Sequence, residues 1–250
     1  GRPLHMALRY GVTQAILAAA AEAAGSTMAE VICAEYGTTM ATRPIPFLAQ
    51  KGGDWYGGAE LMIMRRLAVF PHASLYDPQT LADDGKKLFD FIQWVKDRVA
   101  QTGDPDYRPT IHFDAYGTFG TYFENDRGKI TDFIARLADA ASPLGLQVEC
   151  MSNLRSREEQ IETFAAVRYG LRAMGSPALI IIDEWANTLE DIKAFVDADA
   201  ADIVQVKMPD LGGLNNTIEA VLLCKAHGVG AYLGGSCLET DHSARITCHV

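Results

Sequence analysis

Long apolar runs are missing from this 250-residue sequence. Nothing in it approaches the roughly 18 consecutive apolar residues needed to cross a bilayer, and the alanine-rich stretch at 15–24 is interrupted by Glu22. No membrane span is therefore expected. Bases are scarce as well. Lys and Arg total 22 against 32 Asp and Glu, a formal charge of −10, and no basic face can be traced. That balance excludes the electrostatic footing of a duplex nucleic-acid partner. Cysteine is sparse: Cys33, Cys150, Cys224, Cys237 and Cys248 are odd in number, scattered and without CxxC spacing. This argues against a disulfide framework or a cysteine zinc site and fits a reducing, cytoplasmic setting. No basic segment leads into an apolar core and a small-residue cleavage site, so no secretory signal is expected. GxGxxG and GxxxxGK[ST] loops are absent too, which weakens a nucleotide-binding reading.

What is present is the composition of a well-cored globular chain, 48% hydrophobic and 22% charged. Its length suits an α/β barrel, which typically takes about 250 residues. Short apolar runs alternate with amphipathic stretches, the rhythm of repeated βα units. The runs that read as strands are Ile45–Gln50, Ala68–His72, Thr110–Asp114, Leu146–Cys150, Leu179–Asp183, Ile203–Lys207 and Gly230–Gly234. Helical spacing covers Lys86–Thr102, Lys129–Ala141, Arg157–Met174, Leu189–Asp197 and Asn216–His227. Seven such strands predict a parallel sheet buried on both faces, either a barrel short of its eighth strand or a doubly wound open sheet. The chain reads as helix almost at once, from Met6, and stops at Val250 without a closing Gly, Pro or polar tail. It is therefore expected to be a piece of something longer.

Polar residues recur at the C-terminal ends of these apolar strands. His72, Asp114, Glu149, Asp183 and Lys207 close successive runs, and Gly234-Gly235-Ser236-Cys237 follows the last. In a barrel these ends meet at one mouth. A buried carboxylate costs several kcal/mol unless it is paired or binds a metal. One strand-end Asp could simply start a loop or cap the next helix. Three acids, spaced 35 and 34 residues apart, point instead to a shared oxygen-only site of the kind that suits Mg²⁺. Alternation along Ile203–Lys207 puts Gln205 and Lys207 on one face. A lysine facing an interior that holds a divalent ion loses basicity through desolvation and like charge, so it can accept a proton. The rival reading is a lysine that snorkels or pairs with one of the acids. His112 shares the face of Asp114 and reads first as a satisfied interior histidine, second as a partner of the site. Glu184 has the opposite parity to Asp183 and is not expected to touch the metal directly. Cys237 reads as a residue lining the substrate, since no base is visibly posed beside it.

The motifs Val69-Phe70-Pro71-His72-Ala73, Ile111-His112-Phe113-Asp114-Ala115-Tyr116-Gly117-Thr118, Asp183-Glu184-Trp185-Ala186-Asn187-Thr188, Val204-Gln205-Val206-Lys207-Met208-Pro209-Asp210-Leu211-Gly212-Gly213 and Ala231-Tyr232-Leu233-Gly234-Gly235-Ser236-Cys237-Leu238-Glu239-Thr240 occur in this order. With Leu4-His5 through Val12 before them, they resemble the methylaspartate ammonia-lyases of the enolase superfamily, from Arg2 to Val250. The resemblance implies an enolase-superfamily (β/α)8-type barrel. Residues 41–250 would be the barrel domain without its last part, and 1–40 the end of an N-terminal capping domain with its linking helix. It implies Asp114, Glu149 and Asp183 as Mg²⁺ ligands, Lys207 as the base that removes the C3 proton, and His72 on the opposite side of the substrate. Gln50, Gln205, Ser236 and Cys237 match positions that hold the amino acid's polar groups. The implied reaction is elimination of ammonia from threo-3-methylaspartate to give mesaconate, as in glutamate fermentation. K⁺ is the implied activator and a homodimer the implied assembly.

The sequence departs from the family pattern at Cys150-Met151, where Gly-Pro is usual, at Ser236 for Thr, and at Lys51 and Gly53 after Gln50, where Ser and Asp are typical. Two other readings stay open: an enolase-superfamily lyase or racemase for a different acid, and a non-catalytic fragment that keeps the fold.

Overall fold

The computed structural model describes residues 4–49, 53–235 and 240–250, with the backbone alone at 71 and 72. Helices α1 (Met6–Ala24), α2 (Met28–Tyr36) and α3 (Trp55–Met64) open the chain. Strands and helices then alternate: β1 (Val69–Ser74), α4 (Ala82–Gln101), β2 (Thr110–Asp114), α5 (Thr118–Tyr122), α6 (Arg127–Ala141), β3 (Gly145–Glu149), α7 (Arg157–Ala173) and β4 (Leu179–Ile182). After them come α8 (Leu189–Asp197), β5 (Ile203–Lys207), α9 (Met208–Leu211), α10 (Leu214–Ala226), β6 (Gly230–Gly234) and α11 (Asp241–Thr247). Two compact units result, one of Ile45–Trp185 and Ala198–Asp202, the other of Gly1–Pro44, Ala186–Asp197 and Ile203–Val250.

In the first unit β1 to β4 pair in parallel, each strand with its successor in the chain. That sequential order belongs to the wall of a barrel. A doubly wound sheet places its first strand inside. The period-2 alternation of a strand sorts the side chains onto two faces. Ile111, Phe113, Leu146, Val148, Ile180 and Ile182 share one face and are fully or almost fully buried. Helix α4 covers part of it, with the Phe91 ring 6.2 Å from Phe113 and Trp55 of α3 5.4 Å from Phe91. Burying one such ring is worth about 1.5–3 kcal/mol. His112, Asp114, Gln147 and Glu149 fall on the opposite face.

Two strand expectations change. Ile45–Gln50 forms no named strand among the described residues and keeps only an isolated parallel bridge, Leu48 to Val69. Pro44 and Pro46 each lack a ladder donor, so an apolar run there cannot propagate pairing. His72 does not end β1 but lies two residues inside it. The register against β2 shifts between Phe70 and His72, where Pro71 interrupts the ladder.

In the second unit β5 and β6 pair in parallel, from Ile203 opposite Gly230 to Lys207 opposite Gly234. Its core gathers Tyr10, Leu17, Ile32, Met208, Leu214, Ile218 and Ile246. Helix α1 begins where the His5 ring accepts from the Ala7 N–H at 3.3 Å, and it ends at Gly25 with φ 61°. Thr27 and Glu30 then close a reciprocal cap on α2. Among the described residues no single helix is long and apolar enough to cross a membrane.

Candidate active site

Asp114 and Glu149 are the last residues of β2 and β3 and stand directly opposite each other in the register. Asp183 follows the last residue of β4, itself paired to β3. Their exposures are 3%, 0% and 9%. The ladder continues past these acids and holds their backbones. Leu75 donates to the Asp114 carbonyl at 2.8 Å, Ala115 to that of Glu149 at 2.8 Å, and Cys150 to that of Ile181 at 3.1 Å. Tyr116, at φ 47°, turns its N–H to Asp114 Oδ1 at 3.3 Å. Burial, a hydrogen bond with Tyr76 and the charge of Asp114 all raise the Tyr116 hydroxyl pKa, so it stays protonated beside the acids.

Parity gives His112 two readings, a satisfied interior group first and a partner of the site second. The structure places its Nε2 2.8 Å from Glu149 Oε2 and its Nδ1 2.8 Å from Gln147 Nε2. Glu184, not expected to touch a metal, contributes to the field around the acids. The Cys150 thiol is pushed well above its ordinary value, first by burial, then by the charge and hydrogen bonding of Glu184, then by Asp183 and Asp114. Four acids within one short stretch of sheet edge make this a place where negative charge is concentrated. Cys150 itself has φ 46°, a conformation that favours glycine, the residue usual there in the resembling family.

Lys207 and Gln205 belong to the second unit. Both sit on one face of β5, Gln205 buried and Lys207 half-buried at the strand end. Gln205 lies against Gly234 of β6, where a Cβ would come within 2.9 Å of its Cδ. Glycine at 234 thus makes the room that this side chain fills. His72 is placed by its backbone only, paired with His112. Gln50, Ser236 and Cys237 lie outside the described residues.

Among the described residues no three His, Cys, Asp or Glu side chains are already gathered at metal-holding spacing. The fit of a divalent cation therefore rests on donor chemistry. Asp114, Glu149 and Asp183 offer oxygen only, one carboxylate from the end of each of three consecutive strands, in a buried setting that favours positive charge. This is a donor set for a hard cation such as Mg²⁺, not for zinc or copper.

Residues 39–250 match the family described as methylaspartate ammonia-lyase C-terminus, and residues 1–37 match methylaspartate ammonia-lyase N-terminus. The chain is 49% identical over its full length to methylaspartate ammonia-lyase 1 of Carboxydothermus hydrogenoformans, of which it covers 60%. It superimposes with a TM-score of 0.94 and 42% identity on the crystal structure of β-methylaspartase from Clostridium tetanomorphum in a Mg complex, covering all of this chain and 61% of that one. The Citrobacter amalonaticus enzyme containing (2S,3S)-3-methylaspartic acid gives a TM-score of 0.94 at 39% identity, again over all of this chain and 61% of the other. Muconate lactonizing enzyme from Pseudomonas putida, at 20% identity and a TM-score of 0.64 over 91% of this chain and 55% of that one, shares the fold. The chain thus spans about 60% of the length of the curated relatives it matches.

Proposed function

The chain belongs to the methylaspartate ammonia-lyase family, and we propose that it carries the catalytic part of a carbon–nitrogen lyase that eliminates ammonia from threo-3-methylaspartate to give mesaconate. The observation that carries this reading is the row of buried acids at the ends of β2, β3 and β4, in a family whose Clostridium tetanomorphum member is a Mg complex.

Asp114, Glu149 and Asp183 would hold Mg²⁺. Bound there, the ion would supply positive charge to the carboxylate beside C3, where charge builds on deprotonation, an effect of several kcal/mol. Lys207 removes the C3 proton onto its Nζ, and departure of the C2 ammonium follows. His72, on the opposite side of the substrate, serves as the second acid or base or steadies charge there. Gln205, seated in the gap above Gly234, binds the amino acid's polar groups together with Gln50, Ser236 and Cys237. Tyr116 stays protonated and can donate at the rim.

K⁺ as activator, a homodimer and a cytoplasmic location belong to the same proposal, as does a division of the chain near residue 40 into the end of a capping domain and a barrel domain. The family resemblance supports the first two, and the scattered cysteines support the third. A charge of −10 argues against a nucleic-acid partner.

The test is direct. The 250-residue chain is mixed with threo-3-methylaspartate, Mg²⁺ and K⁺, and the ultraviolet absorbance of the conjugated product is followed with an EDTA control. Metal-dependent absorbance is expected. A folded chain that binds Mg²⁺ but turns over only another 3-substituted aspartate would reassign the substrate, and one inactive on all of them would be a non-catalytic fragment, the assay then being repeated with the termini restored.

A further inference from the structure

Across β2 and β3, three buried polar side chains form a connected row. Gln147 stands opposite His112 in the register, and Glu149 lies two residues further along the same face. The contacts are 2.8 Å from Gln147 Nε2 to His112 Nδ1 and 2.8 Å from His112 Nε2 to Glu149 Oε2. None of the three residues is more than 6% exposed. An amide nitrogen only donates, so the ring nitrogen it faces must present its lone pair. A neutral imidazole held that way carries its proton on Nε2. That nitrogen stands 2.8 Å from Glu149 Oε2, at ion-pair distance. The polar contacts run from amide to ring to acid.

We infer that Gln147 and His112 are a positioning relay for Glu149: the amide selects the Nε2–H tautomer of His112, and the ring fixes the orientation of the carboxylate. The inference rests on the reading that Glu149 helps to hold Mg²⁺. Groups that orient a ligand from behind typically tune metal affinity about 10–100-fold. A histidine and glutamine present only to fill space would be replaceable by apolar side chains of similar size without touching the metal.

The experiment combines calorimetric titration of Mg²⁺ into the metal-free 250-residue chain with ¹⁵N spectroscopy of its histidine rings at one pH near 7.5. The His112 ring is expected as the neutral Nε2–H tautomer. His112→Leu is expected to weaken Mg²⁺ binding about 10–100-fold, and His112→Gln, whose amide nitrogen reaches the place of Nε2, to recover most of that loss. Gln147→Leu should let the ring proton redistribute to Nδ1 and weaken Mg²⁺ binding in step. An Nδ1–H ring in the unaltered chain, wild-type affinity in His112→Leu, or a His112→Gln no better than His112→Leu would each overturn the relay. Should His112→Leu not fold, Gln147→Leu decides, because an unchanged tautomer with unchanged affinity also overturns it. If the unaltered chain takes up no Mg²⁺, the metal reading fails. The relay is then judged on the ring alone: Nε2–H lost in Gln147→Leu sustains it, and Nδ1–H ends it.

Discussion

The two ends of the same short strands use buried charge in opposite ways. Near the N-terminal end of β4, Arg168 of α7 donates through Nε to Asp202 Oδ1 at 2.7 Å and through Nη1 to the Asp199 carbonyl at 2.9 Å. The second oxygen of Asp202 accepts the Ile180 N–H at 2.9 Å. Opposite charges meet there, and the hydrogen bonds tie a helix, a loop and a strand together. At the C-terminal end, Asp114, Glu149, Asp183 and Glu184 bring charge of one sign to neighbouring strand ends. An aspartate near the ends of these strands thus has no single meaning. Beside an arginine it is paired, and among other acids it suits the cation proposed there.

The sharpest way to break this comparison is Asp183→Ala. If the C-terminal end is the site, turnover in the absorbance assay falls by about 10³-fold or more, as expected for several kcal/mol of lost charge stabilisation. Undiminished turnover would place the chemistry elsewhere. Arg168→Met reports on the other end. It leaves the half-buried Asp202 with only Arg172 Nη2, 3.6 Å away, and should cost about 3 kcal/mol in urea unfolding, while turnover of the folded fraction stays at the wild-type level. A cost below about 1 kcal/mol would mean that the pair behaves like a surface pair and that the contrast fails.

Asp202→Asn sharpens the distinction between charge and hydrogen bonding. An amide oxygen still accepts from Ile180, and Arg168 keeps the Asp199 carbonyl, so the expected loss is smaller, about 1–3 kcal/mol by the same measurement. The smallest effect belongs to the loop between the acids. Cys150→Gly suits φ 46° but gives up a buried thiol, and the two should nearly cancel, leaving stability within about 1 kcal/mol of the starting chain. Cys150→Val, β-branched in the same conformation, should be clearly worse than Cys150→Gly. Equal stabilities would show that the left-handed turn is not a constraint.

Much of this was legible in the sequence where a local pattern was enough. Leu179–Ile182 is an unbroken apolar run closed by an acid, and it is a buried strand followed by that acid. Parity along Ile203–Lys207 correctly put Gln205 and Lys207 together. Patterns misled where backbone chemistry intervened. Ile45–Gln50 looks like a strand by composition, but Pro44 and Pro46 withhold the donors a strand needs. His72 looks like a strand terminus, yet β1 runs on past the shift at Pro71 to Ser74.

Alternation is a property of one strand, and the sequence by itself determined it: which residues of β2 and β3 are apolar, which are acids, and that His112 shares a face with Asp114. Only the tertiary structure decided which residue of β3 stands opposite which residue of β2. Register requires two segments 35 residues apart to share hydrogen bonds, and no period within either segment encodes it. That register sets Gln147 against His112 and Glu149 against Asp114, and so turns separate strand-end residues into a row.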